Sequence, residues 1–345
     1  MQSYIEILKA CHGDAFVVHA YKGDNTGIIV IDGGPDQSRI AVNRKLSSFQ
    51  CIDLMILTHY DHDHISGINT YVSQHLNDEI FPIKEVWANC AKSISISAGS
   101  NVSFTEASTL ADVLEDVKKR NNGFLWRSDV VCGQWHHLEY ADIYVIGPSS
   151  EIREKCQLKY EAETKTDVSD VKNDNSNKKL EGLAKNFKIK PSVSNPHHLV
   201  NMDSIAILLK CDGIKALFLG DTFPCVIADH LKILADSEGG KLKLDVVKMS
   251  HHGSRNNVSN EMLDMLDCNN YIVSTNGGMG NSYHPDRESI ANLLLHPNRS
   301  KDIKLNVLLN YRMDEIENRV GCLLTKEEKE QYNCELIDNI SKFPL

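Results

Sequence analysis

Short apolar runs recur along the chain, each bounded by Gly, Asp, Asn or Ser, and they predict strands. Tyr4–Leu8, a second run entered through the turn at Gly13-Asp14-Ala15, and Gly27–Ile31 come close together near the start. Three short strands at that spacing predict an antiparallel sheet. Further strands are expected at Ile52–Leu57, Ile83–Ala88, Trp135–Leu138, Ala141–Ile146, Ser204–Lys210, Lys215–Leu219, Leu244–Met249, Tyr271–Thr275 and Ile303–Leu309. Asp212-Gly213 reads as a hairpin turn between two of them. Between the strands, helical spacing appears at Ser38–Phe49, Asn69–Leu76, Phe104–Lys119 and Val226–Ser237. A last helix covers Asp286–Leu295, opened by Pro285 or Asp286. Strands and helices thus alternate in both halves, which places the chain in the α/β class.

Two stretches break the pattern. Residues 91–101 are rich in Ser, Ala, Gly and Asn and read as a loop. Residues 150–195 are dominated by Lys, Glu, Asp, Asn and Ser, and read as a polar insertion, partly helical and partly mobile. Its charges are mixed, so it is no nucleic-acid arm; a solvated loop, a lid or a surface for a protein partner fits it. The tail beyond about residue 300 reads as an extension of the same domain, 1–345, without a domain of its own.

Composition narrows the classes. The net charge of −10 argues against a broadly basic nucleic-acid-binding surface. A nucleic-acid substrate remains compatible with it, because bound metal supplies local positive charge. The ten cysteines are scattered without a Cys-x-x-Cys pair, which fits reduced thiols in a cytoplasmic protein. No signal peptide and no transmembrane run is evident, so no membrane partner is expected. The oligomeric state is not legible.

The chemistry sits at the ends of strands. The run Ile52–Leu57 delivers Thr58-His59-Tyr60-Asp61-His62-Asp63-His64-Ile65-Ser66-Gly67, with three histidines and two aspartates within six residues. Imidazole and carboxylate at this density suit Zn²⁺ or Mn²⁺. Asp32-Gly33-Gly34 ends the third strand; Asp32 is either a hydrogen-bond partner behind the metal loop or a turn cap. Gly220-Asp221-Thr222, Ser250-His251-His252-Gly253-Ser254 and Ser282-Tyr283-His284-Pro285 follow later strands. Loops at one edge of a layered sheet can converge on a single site. His136 and His137 read as strand-surface residues, and His197 and His198 as loop residues.

These motifs together resemble the metallo-β-lactamase fold superfamily, and within it the ComEC-like hydrolase branch. The family's His-x-His-x-Asp-His loop appears as His59-Tyr60-Asp61-His62-Asp63-His64, with Asp61 in place of the second His, as is typical of that branch. The resemblance covers roughly residues 4–300. It implies an αββα sandwich: two mixed β-sheets flanked by helices. It implies two divalent metal ions, Zn²⁺ or Mn²⁺, that activate a water. His59 and Asp61 would hold one ion and Asp63 and His64 the other, with Asp221 bridging. His252 is the favoured further ligand and His251 then faces the substrate, although the two can be exchanged. His284 is a ligand or a substrate contact, and Asp63, His251 and His284 are the candidate catalytic groups. His62 occupies a variable position and reads as a neighbour. The family often has a further His before the bridging Asp, where Asn201-Met202-Asp203-Ser204 offers none.

The activity implied is a metal-dependent phosphodiesterase or nuclease acting on DNA, RNA or nucleotides. Alternatives are hydrolysis of another ester or a lactone, or a metal-stabilised effector or sensor working with a partner. β-Lactam hydrolysis does not fit the Asp61 pattern.

Overall fold

In the computed structural model, residues 1–90, 102–162, 175–184, 191–280 and 283–344 are described. The expected loop at 91–101, the polar run 169–174 and Asn281 and Ser282 lie outside these residues. In chain order, β1 (Tyr4–Ile7), β2 (Phe16–Lys22) and β3 (Asn25–Ile31) form the expected antiparallel trio. There follow α1 (Arg39–Leu46), β4 (Ile52–Leu57), α2 (His62–His75), β5 (Ile83–Ala88), α3 (Val102–Arg120) and β6 (Leu125–Arg127). β4, β5 and β6 extend the sheet parallel to β3. The second half opens with β7 (Trp135–His137), β8 (Asp142–Gly147), α4 (Ser150–Ala162), α5 (Leu180–Leu183) and α6 (Pro196–Met202). β9 (Ala206–Cys211) and β10 (Ile214–Phe218) make the hairpin, and α7 (Pro224–Ser237), β11 (Leu242–Lys243) and β12 (Val246–Lys248) follow. The chain closes with α8 (Asn260–Asp264), β13 (Leu266–Asp267), β14 (Asn270–Val273), α9 (Arg287–Leu295), β15 (Leu305–Leu309), α10 (Met313–Val320), α11 (Lys326–Gln331), β16 (Cys334–Ile337) and β17 (Lys342–Phe343).

One sheet has seven strands in the order β17-β1-β2-β3-β4-β5-β6, and the other has eight in the order β16-β15-β14-β12-β10-β9-β8-β7. β10, β12, β14, β15 and β16 are mutually parallel neighbours. The burial pattern resolves the layers. One core, including Ile5, Phe16, Ile29 and Leu54 with Ile207, Ala216, Val246 and Leu308, lies between the sheets. A second packs the outer face of the first sheet against α1, α2 and α3 through Val42, Ile68 and Leu110. A third packs the outer face of the second sheet against α7 and α9 through Leu231 and Ile290. Three apolar interfaces make four layers, the αββα sandwich. Burial on both faces explains why 54–57 is continuously apolar instead of alternating.

Two elements differ from the sequence pattern. The metal motif is not a loop that precedes a helix at Asn69: α2 begins inside it, at His62. Asp61 keeps an extended backbone, and its carbonyl accepts from the N–H groups of His64 and Ile65. Ser66 and Gly67, which read as an exit turn, are helical because α2 packs directly on the Gly33 turn. A Cβ at Gly67 would stand 1.9 Å from the Gly33 carbonyl oxygen. Residues beyond 300 also supply strands to both sheets: β15 and β16 to the second, β17 to the first, beside β1. The described part of the polar insertion is docked: Asn175 donates to Glu288 at 2.5 Å, and Arg287 donates to the Lys178 carbonyl at 3.1 Å.

Candidate metal centre

The C-terminal ends of β3, β4, β10, β12 and β14 all reach one edge of the sandwich, and the charged turns follow them. This is the edge at which α/β sheets commonly place their ligands. From the first sheet come Asp32, His59, Asp61, Asp63 and His64; from the second come Asp221, His251, His252 and His284.

His59 and His64 are both buried, with ring centroids 4.1 Å apart. Their Nε2 atoms, and Oδ1 of Asp221, are buried without a hydrogen-bond partner. Asp221 lies between them: Oδ2 is 3.9 Å from His59 Nε2, and Oδ1 is 3.6 Å from His64 Nε2. A second group joins Asp63, His64 and His252, with His252 Nε2 3.2 Å from Asp63 Oδ2. His252 Nε2 is also 3.8 Å from Asp221 Oδ2, so Asp221 touches both groups. Buried nitrogens and carboxylate oxygens left unpaired at this spacing are costly unless a cation joins them. The donor set, imidazole with carboxylate, therefore fits divalent metal.

The supporting contacts orient the rings. Asp32 accepts from the Thr58 N–H and hydroxyl at 2.8 Å each, and its Oδ2 stands 2.8 Å from His64 Nδ1. Of the two roles expected for Asp32, the hydrogen-bond partner of the metal loop is the one observed. Its left-handed backbone, φ 59°, turns the carboxylate back under β4. His252 Nδ1 donates to the Ser274 carbonyl at 2.9 Å, which leaves Nε2 toward Asp63. His251 and His252 both have positive φ, 48° and 53°. Such conformations cost on the order of 1–3 kcal/mol each and tend to persist where function needs them. Here they turn two consecutive rings toward the site. The His251 N–H donates to the Gly220 carbonyl at 3.1 Å, which ties this turn to the one carrying Asp221.

His59 and Asp61, expected to share an ion, are 3.7 Å apart, and His64 stands in the group with His59 and Asp221 as well as in the group with Asp63 and His252. His251 stands 3.7 Å from Asp221 and its ring lies 4.9 Å from His284. Neither His251 nor His284 falls in a tight donor group. His284 is buried, 3.4 Å from Asp286, with neither ring nitrogen hydrogen-bonded. His62 turns away to Glu106 at 3.1 Å. His136 lies against Trp87 with the rings tilted, and His197 and His198, expected in a loop, are on α6, where His198 lies against Phe223.

Electrostatics follow from packing these groups together. Burial pulls the His252 imidazolium down, but Asp14 and Asp221 outweigh it and lift its pKa to about 10. His64 is likewise raised by Asp221 and Asp32 against burial. Asp63 and Asp221 are held well below the carboxylate range by the surrounding imidazoles, again against burial. Burial dominates at His251 and lowers it to about 4. The metal-free cluster thus holds protons in place of other cations.

Three residues escaped the sequence reading. His12 is drawn down by burial and sits in the field of Asp63 and His252. Asp14 lies beside His252 Nδ1 at 3.4 Å, and Lys248 is ion-paired with Asp14. His12 and Asp14 flank the glycine of the Gly13-Asp14-Ala15 turn, which was legible as a motif. Lys248 was hidden inside an apolar strand.

No family model matches the chain, and no curated protein matches it. Solved structures do. Yeast PDE1, unliganded, shares 12% identity over 99% of this chain and 98% of its own, with a TM-score of 0.49. The metallo-β-lactamase fold protein YhfI from Bacillus subtilis shares 11% over 99% of both chains, with a TM-score of 0.42. Zn²⁺-bound PqqB from Methylobacterium extorquens shares 10%, over 99% of this chain and all of its own, at 0.40. At this distance the similarities carry no argument about chemistry, which rests on the side chains above. Among the described residues no helix is long and apolar enough to cross a membrane.

Proposed function

We propose that this chain is a metal-dependent hydrolase of phosphodiesters in nucleic acid or nucleotides, of the ComEC-like branch, working as one domain in the cytoplasm. One observation carries the reading. Buried His59 Nε2, His64 Nε2 and Asp221 Oδ1, none of them hydrogen-bonded, converge with Asp63 and His252, and further imidazoles stand beside them without joining the donor groups.

Two divalent ions, Zn²⁺ or Mn²⁺, held by His59, Asp61, Asp63, His64, Asp221 and His252, would supply a polarised water and neutralise developing negative charge. The chain's own groups do the rest. Asp63 sits at the partly open side of the cluster, where its carboxylate would orient the attacking water. His251, lowered to about 4 by burial, is neutral at pH 7 and presents its ring to a phosphate oxygen as a hydrogen-bond donor. His284, 4.9 Å from that ring and 3.4 Å from Asp286, would pass a proton to the leaving oxygen. The Asp61 form of the metal loop supports the phosphodiester class over β-lactams.

The test is a substrate panel. Protein loaded with Mn²⁺ or Zn²⁺ is incubated with single- and double-stranded DNA, RNA, cyclic nucleotides and bis-(p-nitrophenyl) phosphate, beside an Asp63→Ala/His64→Ala control. Turnover that the control lacks supports the reading. Full metal occupancy without turnover of any member counts against the enzyme and favours a metal-stabilised effector.

A further inference from the structure

Lys248 is the one buried lysine among the described residues, only 2% exposed. It ends β12 in the second sheet, and it meets Asp14, which precedes β2 in the first; the ion pair therefore clasps the two sheets beneath the donor cluster. Both partners reach further. Lys248 Nζ donates to the Gly220 carbonyl at 3.1 Å and stands 3.7 Å from Asp221 Oδ1. The other oxygen of Asp14, Oδ1, makes no hydrogen bond and stands 3.4 Å from His252 Nδ1, behind the ring that the Ser274 carbonyl holds. One ion pair thus reaches the Gly220 carbonyl and the Asp221 carboxylate at one end and the back of the His252 ring at the other.

Stability alone does not call for such a pair. A buried ion pair is often replaceable by apolar side chains of similar volume without loss of stability. A carboxylate behind a ligating imidazole, in contrast, fixes ring orientation and basicity. We propose that Lys248, acting with Asp14, is the positioning residue that presents Asp221 and His252 to the metal ions. The proposal rests on the metal-centre reading above. Asp14, Asp32 and His64 form a third donor group of their own, and the Lys248 ammonium is the cation paired with Asp14 Oδ2 there. It thereby keeps that carboxylate committed to orientation and leaves Asp221 and His252 for the metals.

The experiment compares the wild type with Lys248→Met, Asp14→Asn and the double variant. Zn²⁺ binding is followed by titration calorimetry, folding by thermal melts of the metal-free proteins, and kcat and KM on bis-(p-nitrophenyl) phosphate. Lys248→Met is expected to melt cooperatively yet bind Zn²⁺ at least tenfold more weakly in one of two steps. Its kcat is expected to fall while KM stays within twofold, a split that general loosening would not produce. The double variant, with no charge left unpaired, is expected to recover part of the lost affinity. A folded Lys248→Met that keeps both binding steps within twofold of wild type overturns the proposal. If Lys248→Met fails to fold, the double variant decides by the same affinity criterion. A wild type that takes up no Zn²⁺ overturns the metal reading itself, and that result is visible before any variant is made.

Discussion

Gly67→Ala perturbs the centre without touching a donor atom. Gly67 lies in the second turn of α2, the helix whose first turn carries Asp63 and His64. An added Cβ would stand 1.9 Å from the Gly33 carbonyl oxygen and 2.7 Å from its carbon, both backbone atoms. Ordinary contact begins near 3.4 Å, so the helix must retreat by about 1.5 Å, since no flexible side chain can yield. Overpacking of this kind typically costs 1–3 kcal/mol, and the obstacle being main chain places it at the upper end, about 3. Alanine returns roughly 1 kcal/mol in helix propensity, so a net loss of about 2 kcal/mol is expected. The site suffers more than the fold. Asp63 and His64 retreat from Asp221 and His252, which come from the other sheet, and a 1 Å misplacement can cost about a hundredfold in rate. Urea denaturation and Zn²⁺ titration calorimetry read the two effects separately. A Gly67→Ala protein with wild-type stability and wild-type metal affinity would refute the close-approach reasoning.

Other expectations follow from single contacts. Asp32→Asn weakens the carboxylate behind His64 and should lower metal affinity about 10- to 100-fold, with little change in the thermal melt, as calorimetry would show. Arg153→Met removes the partner of Asp203 at 3.0 Å; burial already pushes this carboxyl up to about 7, so it takes up a proton, and the loss should be about 1–3 kcal/mol in denaturant unfolding, larger at pH 8 than at pH 6. His252 and His64 have raised folded pKa values, so the stability they give the metal-free protein is present below about 6.5 and declines as pH rises toward 10. Metal-free melting temperatures should therefore drop across that window. Zn²⁺ binding displaces the same protons, so affinity should rise from pH 6 to pH 8, with proton release visible in buffers of different ionisation enthalpy.

The sequence made the strands legible because apolar runs bounded by turn residues mark strands buried between layers. It also marked the turns that carry Asp32, His59–His64, Asp221, His251, His252 and His284, since each follows such a run. The start of α2 was obscured by Ser66-Gly67, which resembles a turn until the Gly33 backbone is seen against it. β6, β16 and β17 were too short or too polar to stand out; their partners across the sheet define them. Lys248 was invisible for a different reason: a charge within Val246–Met249 reads as a strand-edge residue unless Asp14, 234 positions earlier, is known to lie against it. The membership of His64 in all three donor groups depends on distances that spacing along the chain does not encode.

The most direct measurement is anomalous diffraction at the zinc edge from crystals of the Zn²⁺-loaded protein. Two peaks are expected at the β3, β4, β10 and β12 ends, one on each side of the Asp221 carboxylate, with His64 and His252 among the nearest side chains. Absence of any peak at Asp221, in protein shown to be folded and exposed to excess Zn²⁺, would contradict the account.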